Sequence, residues 1–574
     1  MSSLHLQSTM FGQLMRLASG NRLFKYPDEI DPSLWKQAVQ PNESVQSDKS
    51  REPSTPSNKE DLPDHVSPNE HPDGSGDVVL VDWYGPDDPE ARLPFLQTVV
   101  MLMAFLLTYL VWQNPHNYPR HLKVLIMMQM CILNFAVYIA SSIYVPGEEL
   151  LMEEFGVSVE VATLGLSLFT LGYGMGPMLW SPLSEMPRFG RSGIFFWTLL
   201  GFILFQLPAG FAPNIAVFLV FRWVTGFCGS PCLATGGGTI TDVFDPTVVP
   251  YLLCTWVSTG IWGPVFGPII GGYLAPARGW RWTIWFFTWL CSLVLIVMFF
   301  LFPETSTPNI LLKRAQRMRK HTGNTRLKSR SEIDQEHHTM KDSLMILASG
   351  KARLTPARAF TLLREPIVLL VDLYSGLLYG ILFTWFESFP LVFGSVYGFD
   401  LGPQGLVYLS IFVFAVLTQA CYLLWQKFTI VPHMRKGDFK PEMVLPPTIF
   451  GAVTLPICLF WFGWSAKASI HWMVPTVGSG LFSIGVITLY NALYTYIGIC
   501  YSQYAASLFA GATLFRALFG ATFPLFARAL FTNLGIGPGN SLLGGIAVLF
   551  IPVPFLFYYY QYGERIRGVS KNAQ

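Results

Sequence analysis

The chain has 574 residues, 51% of them hydrophobic and only 13% charged. A soluble protein carries about 25% charge, so the charge here is too sparse to cover the several domains this length would otherwise make. A soluble enzyme, a nucleic-acid binder and a disordered scaffold are excluded, and 38 Lys and Arg against 36 Asp and Glu point to no polyanionic partner.

Residues 1–92 are polar. Met1 to Leu23 shows a weak amphipathic pattern (Phe11, Leu14, Met15, Leu17) suited to a membrane surface, and lacks the continuous apolar core of a signal peptide. From Val39 to Asp77 the composition is Ser, Pro, Asp, Glu and Asn, which cannot bury enough surface to order itself. Apolar runs of about 20 residues follow, each long enough to span a bilayer. They fall at 93–112, 122–144, 160–180, 193–208, 214–236, 250–275, 281–302, 367–389, 404–425, 444–464, 472–496, 504–531 and 541–561.

Lys and Arg in the loops set the orientation. Loop 181–192 carries Arg188 and Arg191, loop 426–443 carries Lys427, Arg435, Lys436 and Lys440, and the tail carries Arg565, Arg567 and Lys571. Segment 303–365 holds thirteen Lys and Arg against six Asp and Glu. These regions are expected in the cytoplasm. Loop 145–159, with four Glu and no Lys or Arg, reads as external; Arg278 and Arg281 in another external loop violate the rule mildly. The eight cysteines all lie in apolar stretches, without metal or redox spacing, and read as packing residues.

The sharpest motif runs from Trp256 to Gly272. Gly260, Gly263, Gly267, Gly271 and Gly272 are accompanied by Pro264 and Pro268. Glycines four apart share a helix face and let a neighbouring backbone approach closely. Each proline removes a helix hydrogen bond and bends the helix. The stretch resembles the antiporter motif in the fifth helix of major facilitator drug:proton antiporters. Gly176-Pro177 through Glu185 with Phe189-Gly190-Arg191 resembles that family's loop between helices two and three, and Arg222 followed by Gly226 to Gly237 its fourth-helix motif. Trp280-Arg281-Trp282-Thr283, Pro303-Glu304-Thr305, Phe386-Glu387, Gly463-Trp464-Ser465 and His471-Trp472 also match. The set is similar to fungal twelve-helix multidrug antiporters of the fluconazole and benomyl resistance group, over roughly 79–90 and 114–570.

The resemblance implies an all-α membrane protein of major facilitator fold, with two six-helix bundles. The division is a largely disordered cytoplasmic tail (1–92), an apolar insertion (93–113), a first bundle (114–302), a basic cytoplasmic linker (303–365), a second bundle (366–563) and a cytoplasmic tail (564–574). By the same resemblance Arg222 is tied to proton coupling and translocation; a guanidinium inside a span is costly and faces a cavity or a partner unless it snorkels. Asp242, Asp372 and Glu387 are candidate proton carriers, although the last two equally suit interface anchors. Glu185 and Arg191, beside Gly190, are expected to clamp a cytoplasmic gate. Asn134, Tyr374, Tyr379, Tyr490 and Asn491 are candidates for the substrate cavity, and Arg516 is expected to pair with a cytoplasmic carboxylate.

There is no GxxxxGK[ST], so ATP is not the energy source. No metal site, cofactor or enzymatic motif is expected; the proton gradient supplies the energy. The reading is a monomeric, multi-pass transporter of the plasma membrane, exchanging protons inward for hydrophobic small molecules outward. The alternatives are a dedicated exporter of a self-made toxin and a nutrient symporter or uniporter. One feature departs from the family. Asp87-Asp88-Pro89-Glu90 is separated from Asn114-Pro115 by residues 91–113, which contain a complete apolar span. This is either an insertion, such as translated intron, or a true thirteenth helix that would place the amino-terminal tail and its Asn42-Glu43-Ser44 sequon outside.

Overall fold

The computed structural model of the protein describes residues 7–20, 23, 26, 29, 79–81, 115–335, 365–501 and 505–559. The apolar run 93–112 lies outside them, as do most of the amino-terminal tail and the carboxyl tail. Among the described residues, eleven helices are long and apolar enough to cross a membrane. In chain order the described helices are α1 (Met10–Ala18), α2 (Arg120–Phe155), α3 (Val159–Met175), α4 (Pro177–Glu185), α5 (Arg191–Gly210), α6 (Ile215–Val243), α7 (Val249–Arg278), α8 (Trp280–Leu301), α9 (Thr307–Thr322), α10 (Arg330–Gln335), α11 (Pro366–Val396), α12 (Leu401–Lys436), α13 (Pro446–Ser465), α14 (Met473–Cys500), α15 (Ala505–Leu534) and α16 (Ile536–Tyr558).

The expected span 160–180 is the twelfth crossing. It is divided between α3 and α4 at Gly176-Pro177, so neither helix alone is long enough to count among the eleven. Together the two pieces extend ~39 Å at 1.5 Å per residue, enough to cross.

The helices on either side of the basic linker pack mainly among themselves. α2 lies against α7 and α3 against α6 in the first half; α11 lies against α15 and α13 against α16 in the second. The halves meet along two seams, α3 with α15 and α7 with α12. The outer faces are apolar. On α8, Ile284, Phe287, Cys291, Val294 and Met298 are buried, whereas Trp289, Leu293, Ile296 and Phe300 form an exposed stripe. In water such a stripe would be a liability; a bilayer covers it.

Two features were not visible in the sequence. Val79–Val81 and Leu327–Ser329 pair as a two-stranded parallel sheet, β1 with β2. Helix α1, the amphipathic stretch expected on a membrane surface, also docks on protein. Thr9 caps it, Phe11 packs against Phe299 and Phe300 at 5.8 and 5.1 Å, and Gln13 accepts a hydrogen bond from Lys313. Its Leu17 remains exposed.

Candidate functional site

The glycine stripe of α7 has a definite counterpart. A Cβ at Gly263 would stand 2.5 Å from Tyr138 Cβ; at Gly267 it would collide with Ser142, and at Gly271 with the Ile143 carbonyl. The stripe is therefore the seat of α2. The proline beside it has a structural consequence. The Pro264 carbonyl would ordinarily accept from the amide of residue 268, but Pro268 has none. The Ser142 hydroxyl donates to that carbonyl instead, at 2.9 Å. Gly272 faces the other half, where a side chain would strike the Leu401 carbonyl of α12.

Between the halves lies a small cavity of about 70 Å³. The first half contributes Asn134, Tyr138, Leu233, Trp256, Gly260 and Ile261; the second contributes Leu378, Tyr379, Leu382, Val486, Tyr490 and Arg516. Of the expected substrate residues, Asn134, Tyr379 and Tyr490 line it. Tyr374 instead packs on Phe550 at 5.2 Å, and Asn491 donates to Ile487 O within its own helix. Asn134 donates to Trp256 O and Thr259 Oγ1, leaving its Oδ1 unpartnered; Trp256 Nε1, Tyr490 Oη and Arg516 Nε are also buried without a hydrogen-bond partner. The pocket thus pairs aromatic walls with a few unspent polar groups.

Arg516 overturns its expected role. Rather than meeting a cytoplasmic carboxylate, its guanidinium lies between Tyr379 and Tyr490, 5.1 and 5.0 Å from their rings, and donates to Tyr138 across the halves. Asp372, fully buried in α11, is within electrostatic reach of it, with neither carboxylate oxygen hydrogen-bonded.

Arg222 is fully buried in α6. Nε donates to Gly165 O and Nη1 to Ala140 O, so it fastens α3 and α2 together; Tyr144 and Phe169 cover its faces at 4.8 and 4.4 Å. Cation–π contacts of this kind contribute up to about 2 kcal/mol when desolvated. Nη2 has no partner.

At the linker end the expected clamp is rearranged. Arg191 pairs with Asp242 at 2.7 Å, a charge contact off the hydrogen-bond axis, rather than with Glu185. Glu185 is close enough to both to feel their charges. The organising acid is Glu304. It accepts from Arg191 N, Ser192 Oγ, Thr305 N and Ser306 N at 2.7–3.0 Å. Gly190 has φ +71°, where a side chain is strained, and a Cβ there would strike Glu304. Tyr118 donates to the Glu304 carbonyl and the Glu304 amide to Ser8 O, joining the start of α2 and the amino-terminal tail to the knot. At the opposite end, Arg281 is neutralised by Glu154 and stacks on Trp280, which removes the apparent charge violation. Glu387 lies at that same end, 6% exposed, beside Thr163.

Comparisons with known proteins agree with this architecture. The family model described as Major Facilitator Superfamily matches residues 130–524. Transporter mfs1 of Schizosaccharomyces pombe is 38% identical over 86% of this chain and 89% of its own length. Fluconazole resistance protein 1 of Saccharomyces cerevisiae is 36% identical over 93% of this chain and 95% of its own. Among solved structures, the proton:xylose symporter XylE superposes with a TM-score of 0.55 at 15% identity, covering 77% of this chain and 96% of that one.

Proposed function

The chain belongs to the Major Facilitator Superfamily, and we propose that it is a proton-driven exporter of hydrophobic small molecules across the plasma membrane. The observation that carries this reading is the cavity shared by both halves, walled by Tyr138, Trp256, Tyr379 and Tyr490. Its aromatic walls suit flat apolar molecules, and a relative is named for resistance to fluconazole. Substrate binds there and is exposed to either side as the halves rock about the α3–α15 and α7–α12 seams. The buried acids Asp372 and Glu387, the partly exposed Asp242 and Arg222 are the candidates for coupling. The basic linker places its end in the cytoplasm by the positive-inside rule.

The same reading treats 93–113 as an insertion. β1 pairs with the linker strand and Tyr118 with Glu304, so residues 79–81 and 118 both stand at the linker end. Transcript sequencing tests whether the insertion is retained intron; mature message that keeps it removes that origin.

Expression in a drug-sensitive yeast tests the whole function. Fluconazole efflux should rise and collapse with a protonophore; efflux indifferent to the gradient would refute antiport.

A further inference from the structure

At the end opposite the linker, each half delivers a buried glutamate to one cavity. Glu148 of α2 is 8% exposed and Glu387 of α11 is 6% exposed. Both line a space that is also bordered by Gln404, Tyr408 and Arg528. Neither acid is well satisfied. Glu148 Oε1 has no hydrogen-bond partner, and the Tyr144 hydroxyl beside the carboxylate donates to Ala162 O; Glu387 Oε1 receives one long bond, 3.4 Å, from Thr163. Thr163 belongs to the first half, so the second half's acid already leans on its neighbour. The two carboxylates interact electrostatically.

The charges that face this pair come from every packed element. Arg528 of α15 is the cation lining the cavity, and Glu149 borders it on the acidic side. Arg222 stands behind the Tyr144 ring, and Tyr408 of α12 and Tyr144 of α2 are the neighbouring phenols. The two carboxylates share one lining cation, with the Arg222 guanidinium set back behind the Tyr144 ring, in a poorly solvated place. Like charges so placed cannot both remain ionised cheaply, and a proton removes the conflict.

We propose that Glu148 and Glu387 form a carboxylate pair, one from each half, that holds the coupled proton and thereby controls closure of this end. This rests on the antiport reading above and names the site at which the proton acts. The only covalent change is an O–H bond on one glutamate. The proton arrives from water while this end is open and returns to water once the opposite end opens. With the proton bound, the halves meet at Glu148, Thr163 and Glu387 without repulsion. Without it, two like charges face one another across the seam and bias the halves apart. A conformational preference follows only because the two states hold the proton unequally.

The test uses the full-length protein in three measurements. First, Glu148→Cys with Glu387→Cys should cross-link in membranes with a short bifunctional reagent, which checks the pairing independently of transport. Second, the intrinsic fluorescence of the purified protein should change with pH as the shared proton is taken up. Glu148→Gln and Glu387→Gln should each move that transition to lower pH, because the remaining carboxylate no longer faces a like charge. Third, in proteoliposomes each Gln variant should lose uphill, gradient-driven fluconazole transport by about tenfold or more, while exchange of labelled for unlabelled fluconazole stays within about twofold. Retained exchange shows that the variants fold and bind. Cross-linking and the fluorescence transition, with wild-type transport that ignores the gradient, would sink antiport and leave the pair standing. Gradient-driven transport that Glu148→Gln leaves intact, with an unshifted transition, would overturn the pair and leave antiport standing.

Discussion

Glu304 at the linker end and the Glu148–Glu387 pair at the other are all less than a tenth exposed, yet their surroundings differ. Glu304 accepts four hydrogen bonds, three of them from backbone amides fixed by the chain's own turns. The other two acids have between them one long bond from Thr163, the Tyr144 hydroxyl close to Glu148, and an unpartnered oxygen. Burial alone therefore does not mark a functional acid. A carboxylate whose lone pairs are filled by rigid donors is a structural fastening, and protonating it would only weaken the fold. A carboxylate left short of donors, facing a like charge across a seam that must open, has something to gain from a proton.

The largest effect should come from breaking the satisfied site. Glu304→Ala strands four donors and should destabilise the protein by about 3–5 kcal/mol, read as a fall in thermal unfolding temperature in detergent. Glu387→Gln should leave that temperature unchanged or slightly raised, because it removes a repulsive charge. Equal losses in the two variants would erase the distinction between the ends.

Next comes the α2–α7 seat, which couples the two ends. Gly271→Ala forces a methyl into the Ile143 carbonyl, a backbone atom that cannot swing aside. Overpacking of this kind costs about 1–3 kcal/mol, and efflux should fall with it. Gly545→Ala is the control, since nothing lies within 4 Å of that position; its stability should change by about 0.5 kcal/mol or less. Arg222→Lys follows. It keeps the charge but loses the fork that bonds Gly165 and Ala140 at once. We expect surface protein near normal and efflux down about tenfold; unchanged efflux would make Arg222 a fastening like Glu304.

How much of this was legible depends on whether a signal is periodic. The twelve described crossings follow from apolar length, and the glycine face of α7 from its four-residue spacing. Glu148 was hidden because loop 145–159 reads as a run of external acids. Its signal was there all the same: Glu148, Leu151 and Phe155 fall on one face of the helix, and the structure buries the first two. Glu185 was the natural partner for Arg191 by proximity in sequence. Asp242 won because α6 continues past the break at Ser230 as far as Val243. The site of Arg516 depends on which tyrosines the opposite half presents, and no local pattern encodes that. Likewise β1 is three residues in a polar tail, and its partner lies more than two hundred residues away.

The smallest effect belongs to a third acid, which sharpens the rule from outside the bilayer. Glu29 hydrogen-bonds Arg16 of α1 and the Tyr26 amide, with the Arg317 guanidinium stacked on Tyr26. Burial pushes its carboxyl up, but these donors and the Arg16 and Arg317 charges outweigh burial and hold it down at about 2, from 4.5. A depressed pKa means that the contact contributes fully above about pH 4.5 and is lost as pH falls from there through 2. The clasp of α1 should therefore be indifferent to pH near neutrality and loosen only in strong acid. Hydrogen exchange of residues 10–18, corrected for intrinsic rates, should show protection at pH 6 that declines by pH 3, with Arg16→Met flattening the profile. Arg16 lies on α1, away from the cavity and both seams between the halves, so Arg16→Met should alter efflux at neutral pH by less than about twofold. Glu29 is a satisfied acid and so belongs with Glu304: it responds to protons only where no cell operates, whereas an acid left short of donors responds where the transporter does.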